Sequence, residues 1–260
     1  MSRVSNHLRR LARQYNVMWI TCRQDFGSDG ESLRIGGTES RRLTVVLDCD
    51  DDLHDVHSLA IRHCNLICRT KLRMGRLRDL KMDGVILSNF NFLRYNCDRI
   101  SMMNCKFGTL KDCFRGFRPM YIDINSCTSE EEYSLSDLEI KGEQLERLSI
   151  VHCSFKDTSV TVCSYPSLRE LTLSNCRITE VKLGMLPALE KLTLDRNLIR
   201  SVEVLSSADN KDCTDRRQEE SVHYTEEVLD VESLDQLALL SNPVQSSIPR
   251  WHPRARTALL

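Results

Sequence analysis

Apolar and polar residues alternate with a period of two inside short segments of this chain, and the segments themselves recur about every twenty-one residues. The clearest instance is a near duplication. LRELTLSNCRI (168–178) and LEKLTLDRNLI (189–199) place Leu, Leu, Leu, then Cys or Asn, then Ile at identical offsets, with starts 21 residues apart. Upstream lie LERLSIVHCSF (145–155), YIDINSC (121–127), ISMMNCKF (100–107), LRDLKMDGVIL (77–87) and SLAIRHCNL (58–66). The first members of the apolar-x-apolar pairs are Leu59, Leu80, Ile100, Ile122, Leu148, Leu171 and Leu192, at intervals of 21, 20, 22, 26, 23 and 21. So little drift over seven registers marks stacked repeats. An eighth copy, LDQLALLSNPV (234–244), begins its pair at Leu237, 45 residues after Leu192.

The alternation predicts a strand with one buried face in every repeat. A single repeat cannot bury that face alone, so neighbours stack into a curved parallel sheet over a continuous core. Eight rungs spaced by about 4.8 Å give a sheet on the order of 35 Å long. Where each strand ends, a small polar side chain turns inward and satisfies backbone groups that the core would otherwise orphan. That position is held by Cys64, Cys105, Cys127, Cys153 and Cys176, and by Asn197 and Asn242.

The LxxLxLxxN/CxL pattern resembles that of the leucine-rich repeats. Its 21 to 23 residue spacing with short connections is similar to the class found in phosphatase regulators and small nuclear ribonucleoprotein partners. The resemblance runs from Leu43 to Val244 and is strongest at 145–200; upstream, Val85 replaces the Asn/Cys and Ile122 lacks a leading Leu. It implies an α/β leucine-rich repeat solenoid, with a curved parallel sheet on the concave face and short helical or irregular connections on the convex side. It also implies a non-catalytic module or scaffold that binds protein partners on the concave face. Two alternatives come with the resemblance: a substrate-recognition subunit of a ubiquitin ligase, its F-box absent or degenerate, and a ribonucleoprotein component. An F-box needs ~40 helical, Leu/Pro-rich residues in front of the repeats, and residues 1–40 do not show them.

The two ends and one interior stretch break the pattern. Residues 1–42 are expected to cap the solenoid, because Val4, Leu8 and Leu11 share one helical face, Arg3, Arg9, Arg10 and Arg13 make the remainder basic, and NVMWITC follows as a strand. RRLTVVLDC (41–49) then reads as the first, irregular strand of a solenoid spanning 43–244. Residues 206–233 carry nine acidic and three basic side chains and read as an acidic insertion, with a degenerate repeat around YTEEVLDV as the alternative. Residues 245–260 form a short basic cap or tail, with Pro249 and Pro253 interrupting any helix.

Composition narrows the function classes. A net charge of −1 argues against a generally basic nucleic-acid binder. Twelve cysteines without an opening signal peptide point to reduced thiols and an intracellular chain, cytoplasmic or nuclear; the Arg-rich, acid-free N-terminus resembles a mitochondrial presequence as the other option. No run approaches the ~18 apolar residues of a membrane span. Cysteine spacings fit no common zinc finger, and DCDDDLHDVH (48–57) reads as a solvated acidic loop rather than a metal site. Glycine-rich phosphate loops, G-x-S-x-G and H-E-x-x-H are missing from the sequence, so an enzyme, a cofactor and a small-molecule substrate are not expected, and the chain is read as a monomer.

With the leucines committed to stacking, selectivity must come from the side chains between them. Tyr121, Met103 and Val151, bracketed by Arg99 and Arg147, combine aromatic, thioether and guanidinium groups as protein-interface hot spots do. Arg99, Met103, Tyr121, Arg147 and Val151 are therefore the candidate partner-binding residues.

Overall fold

The computed structural model describes residues 16–205, apart from 26, 30, 50, 52, 76, 89–96, 112, 116, 141–142 and 185. It adds the backbone of 236–238 and 257–259. The N-terminal amphipathic segment, the acidic insertion 206–233 and Asn242 lie outside the described residues.

The repeats form one long sheet. Its strands are β2 (Gly27–Asp29), β3 (Ser32–Gly36), β5 (Ser58–Arg62), β7 (Asp79–Asp83), β9 (Arg99–Met103), β11 (Tyr121–Asn125), β13 (Arg147–Val151), β15 (Glu170–Ser174), β17 (Lys191–Thr193), β19 (Gln236–Ala238) and β20 (Thr257–Leu259), in that spatial order. All neighbours are parallel except β2, which folds back on β3. Leu59, Leu80, Ile100, Ile122, Leu148, Leu171, Leu192 and Leu237 stand side by side in one unbroken register. The register continues one rung further at each end, through Leu33 and Ala258. Residues expected to act as a cap and a tail thus contribute strands to this sheet. β17 pairs directly with β19, so no rung stands between them.

Each turn of the chain carries a second strand. β1 (Val17–Ile20), β4 (Leu43–Leu47), β6 (Cys64–Cys68), β8 (Ile86–Leu87), β10 (Lys106–Phe107) and β12 (Thr128–Ser129) make a six-stranded parallel sheet. β14 (Ser159–Cys163), β16 (Glu180–Gly184) and β18 (Ser201–Val204) make a three-stranded one. The connections therefore pair with each other rather than coil, and the sequence supplies the reason: LTVVL, SVTVC and SVEV are rich in β-branched residues, which favour strands. Two 3₁₀ turns, Arg23–Asp25 and Ser136–Leu138, are the only helical elements among the described residues. The strand at 43–47, read as the start of the repeat sheet, lies in the six-stranded sheet between β1 and β6.

Residues facing inward from all three sheets merge into one core, and each buried Leu, Ile or Val contributes about 1.5–3 kcal/mol relative to exposure. The chain enters that core through one repeated corner. His63, Gly84, Asn104, Ser126, His152, Asn175 and Arg196 all have positive φ, between 45° and 61°. Only one of them is glycine, and the left-handed conformation costs the others about 1–2 kcal/mol each. Inter-rung hydrogen bonds hold the corner. The amide of His63 donates to the Asp83 carbonyl, that of Asn104 to Asn125, that of Ser126 to Val151 and that of His152 to Ser174, at 2.8–3.0 Å.

The inward residue follows immediately. Asn197 is 2% exposed, and its Nδ2 donates to the carbonyls of Leu173 (2.6 Å), Leu194 (2.9 Å) and Asp195 (3.3 Å). Its Oδ1 accepts from the amides of Cys176 (2.8 Å) and Ile178 (3.4 Å). The cysteines do a weaker version of the same task. Cys105 donates its thiol to the Met103 carbonyl (3.2 Å), Cys153 to Val151 (3.4 Å), and Cys176 to Ser174 (3.2 Å) and Ile150 (3.4 Å). Cys97, outside the ladder, is also buried and donates to Arg78 and Arg99 carbonyls. Among the described residues ten cysteines are free, whereas Cys163 is disulfide-bonded.

Asn197→Ala removes five polar contacts and orphans buried backbone groups, so it is expected to cost about 3 kcal/mol of stability. Asn197→Cys, which installs the residue used on other rungs, is expected to cost less. Urea denaturation of the two variants checks the order, and equal losses would contradict the role assigned to Asn197.

Burial also pushes the thiols of Cys64, Cys68, Cys97 and Cys176 up to about 12. An unfolded thiol ionises near pH ~8.5, so above that pH the native state binds more protons and stability falls as pH rises. The contribution is fully present below the unfolded value and is lost through the folded one. Urea midpoints measured from pH 7 to 11 are expected to drop increasingly above pH ~8.5, and less steeply in Cys64→Val, since Val85 already fills the equivalent position. A flat profile would refute the assignment.

Candidate functional site

The outer face of the long sheet is built from the first, third and fifth residues of each strand, because the second and fourth are buried. Arg99, Tyr121 and Arg147 are the first residues of three consecutive strands and stand in register. The Arg99 guanidinium lies over the Tyr121 ring, 4.9 Å from its centroid. The Tyr121 hydroxyl donates to Glu146 Oε2 at 2.8 Å, and that carboxylate pushes the phenol above its ordinary pKa. A half-buried aromatic is therefore fixed by a cation on one side and an acid at its tip.

Neither arginine is an isolated charge. Arg147 Nε stands 3.5 Å from Asp123 and 3.6 Å from Glu170, and Arg99 Nε stands 3.9 Å from Asp79. Exposed pairs of this kind contribute little to stability, typically below about 1 kcal/mol each. Their effect here is to hold the two guanidinium groups across the sheet face with their local charge offset.

Met103 and Val151 occupy the fifth positions of β9 and β13, with Asn125 between them. They lie four residues along the strands from Arg99 and Arg147, about 13 Å away. Met103 is 45% exposed and Val151 half-buried. The five residues thus share one sheet face in two groups, Arg99–Tyr121–Arg147 along one edge and Met103–Val151 along the other, with Ser101, Asp123 and Ser149 between.

Sequence reasoning did not select Asp79, Asp123, Glu146 or Glu170. Register finds Asp79 and Glu170, each paired with an arginine on an adjacent rung, whereas Asp123 lies diagonal to Arg147 and Glu146 lies one residue before its strand. A second surface was also unmarked. Trp19, Ile67 and Ile86 are exposed large apolar residues on the outer side of the six-stranded sheet, with Arg69 stacked 4.7 Å above the Trp19 ring.

The acidic stretch at 48–57 is tied to the preceding chain. Arg23 donates through its side chain to both oxygens of Asp55 and through its amide to Asp51 (2.6 Å), and this bonding holds the Asp55 carboxyl below its ordinary range. His57 Nδ1 lies 2.8 Å from Glu31, on a different rung. Among the described residues no group of three or more His, Cys, Asp or Glu side chains is placed to hold a metal ion. No described helix is long and apolar enough to cross a membrane.

Comparison with known proteins gives one match and two blanks. Residues 166–207, which span β15 to β18, match the family described as leucine-rich repeats in two copies. No curated protein and no solved structure shows a significant match. The matched pair of repeats continues in register into strands on both sides, and upstream it continues with the same corner and the same inward Cys. The matched repeats and the parallel-strand solenoid together give a leucine-rich repeat architecture, which suggests protein–protein interaction in general.

Proposed function

We propose that this protein is a non-catalytic, monomeric scaffold that binds a protein partner through the outer face of its long sheet, centred on Arg99, Tyr121 and Arg147 with Met103 and Val151 at its apolar margin. One observation carries the reading: Tyr121 stands between two arginines on adjacent rungs, with Arg99 over its ring and Glu146 on its hydroxyl. An aromatic already fixed in place loses little conformational entropy on binding, and Tyr and Arg dominate interface hot spots. The carboxylates beside both arginines favour a protein over a nucleic acid, because Asp79, Asp123 and Glu170 would repel a phosphate backbone.

Affinity capture with the full chain and with a Tyr121→Ala/Arg147→Ala variant tests this. Hot-spot truncation of about 2 kcal/mol corresponds to roughly 30-fold weaker binding, so the variant is expected to lose the partners that the parent retains. A circular dichroism spectrum unchanged by these substitutions separates lost binding from lost fold. Retention of every partner by the variant would show that the site lies elsewhere.

A further inference from the structure

Charge divides unevenly between the two halves of the long sheet's outer face. Across β3 to β9 the outward positions carry Arg34, Arg62, Lys81 and Arg99 against Asp79 and Asp83. Across β11 to β17 they carry Arg147 and Lys191 against Asp123 and Glu170. The acids of the first half are engaged. Asp79 faces Arg99, while Asp83 stands 3.9 Å from His63 Nε2 and accepts from Asn104 Nδ2 at 3.4 Å. Arg62 and Lys81 are exposed, and among the described residues neither has an ion-pair partner.

These cations are arranged in a line. Arg62 is the fifth residue of β5, Lys81 the third of β7 and Arg99 the first of β9. Each step moves one strand across and two residues back, about 8 Å. Small residues flank the middle of the line, since Ala60 and Ser101 are the register neighbours of Lys81. The line runs directly into Tyr121, the register neighbour of Arg99.

We propose that this diagonal, Arg62–Lys81–Arg99, receives an extended acidic segment of the protein partner, with carboxylates at alternate positions of the segment. The inference rests on the reading that the long-sheet face is the partner surface, and it names the chemistry that this face selects. Alternate side chains of an extended peptide lie about 7 Å apart on one side, a match for the spacing of the cations given the reach of Lys and Arg side chains.

The test uses the full chain and fluorescence anisotropy with three labelled probes: a peptide of alternating Glu and Ser, a peptide of alternating Lys and Ser, and single-stranded oligothymidylate. The Glu/Ser peptide is expected to bind, to weaken as salt rises, and to lose at least about tenfold in affinity with Arg62→Glu/Lys81→Glu. Lys191→Glu, an exposed charge reversal at the far end of the face, is expected to leave that affinity unchanged. Absence of Glu/Ser binding, equal affinity in the Arg62→Glu/Lys81→Glu variant, or tighter binding of oligothymidylate would overturn the proposal. Partner capture separates the two levels. Partners lost with Tyr121→Ala/Arg147→Ala but kept by Arg62→Glu/Lys81→Glu would sink the acidic-segment proposal alone, whereas partners kept by both would sink the face as well.

Discussion

The structure depends on a backbone corner that each rung cannot hold by itself. At seven successive positions the chain turns through the left-handed region to bring a buried residue into the core, and six of the seven residues pay a steric penalty for it. At six of the seven the compensating hydrogen bond comes from the next rung, whose carbonyl receives the corner amide. Stability is therefore a property of neighbours, and a rung without one has both an exposed apolar face and an unsupported turn. This is the physical reason that the repeat interval can vary from 20 to 26 residues while the register of the strands never slips.

The same constraint explains why Cys and Asn alternate at one position. The site is fully enclosed, accepts a side chain of limited volume, and offers backbone carbonyls to a donor. Asn197 meets that demand with both a donor and an acceptor, whereas Cys153 and Cys105 meet only the donor half through a weak S–H. Val85 is buried in the same register with no polar group at all, so the volume requirement is the stricter of the two.

Much of this was legible in the sequence because the leucine pairs carry a period that only stacking explains. All eight pairs predicted from spacing fall in one register. Two further rungs escaped. Leu33 and Ile35 alternate like the others, but Gly37 and an exposed Thr38 stand where the other rungs have the corner and the inward residue, so the Cys/Asn mark is missing. Ala258 offers too small an apolar residue to register as half of a pair. The second strands were harder to find, because two-residue strands such as Lys106–Phe107 have no periodicity of their own and exist only through pairing with adjacent turns. At the candidate site, the co-placement of Arg99, Tyr121 and Arg147 followed from register, while the ring stacking and the Glu146 contact depend on rotamers that spacing does not encode.

The direct pairing of β17 with β19 places the two ends of a long excursion on adjacent rungs. Closing a loop costs free energy that grows only logarithmically with its length, about 0.6 kcal/mol for each doubling. Once both anchors are fixed, the span between them is nearly decoupled from the rise of the solenoid. That junction is the place where this architecture can gain, exchange or shed a whole module during evolution while every rung on either side keeps its neighbour.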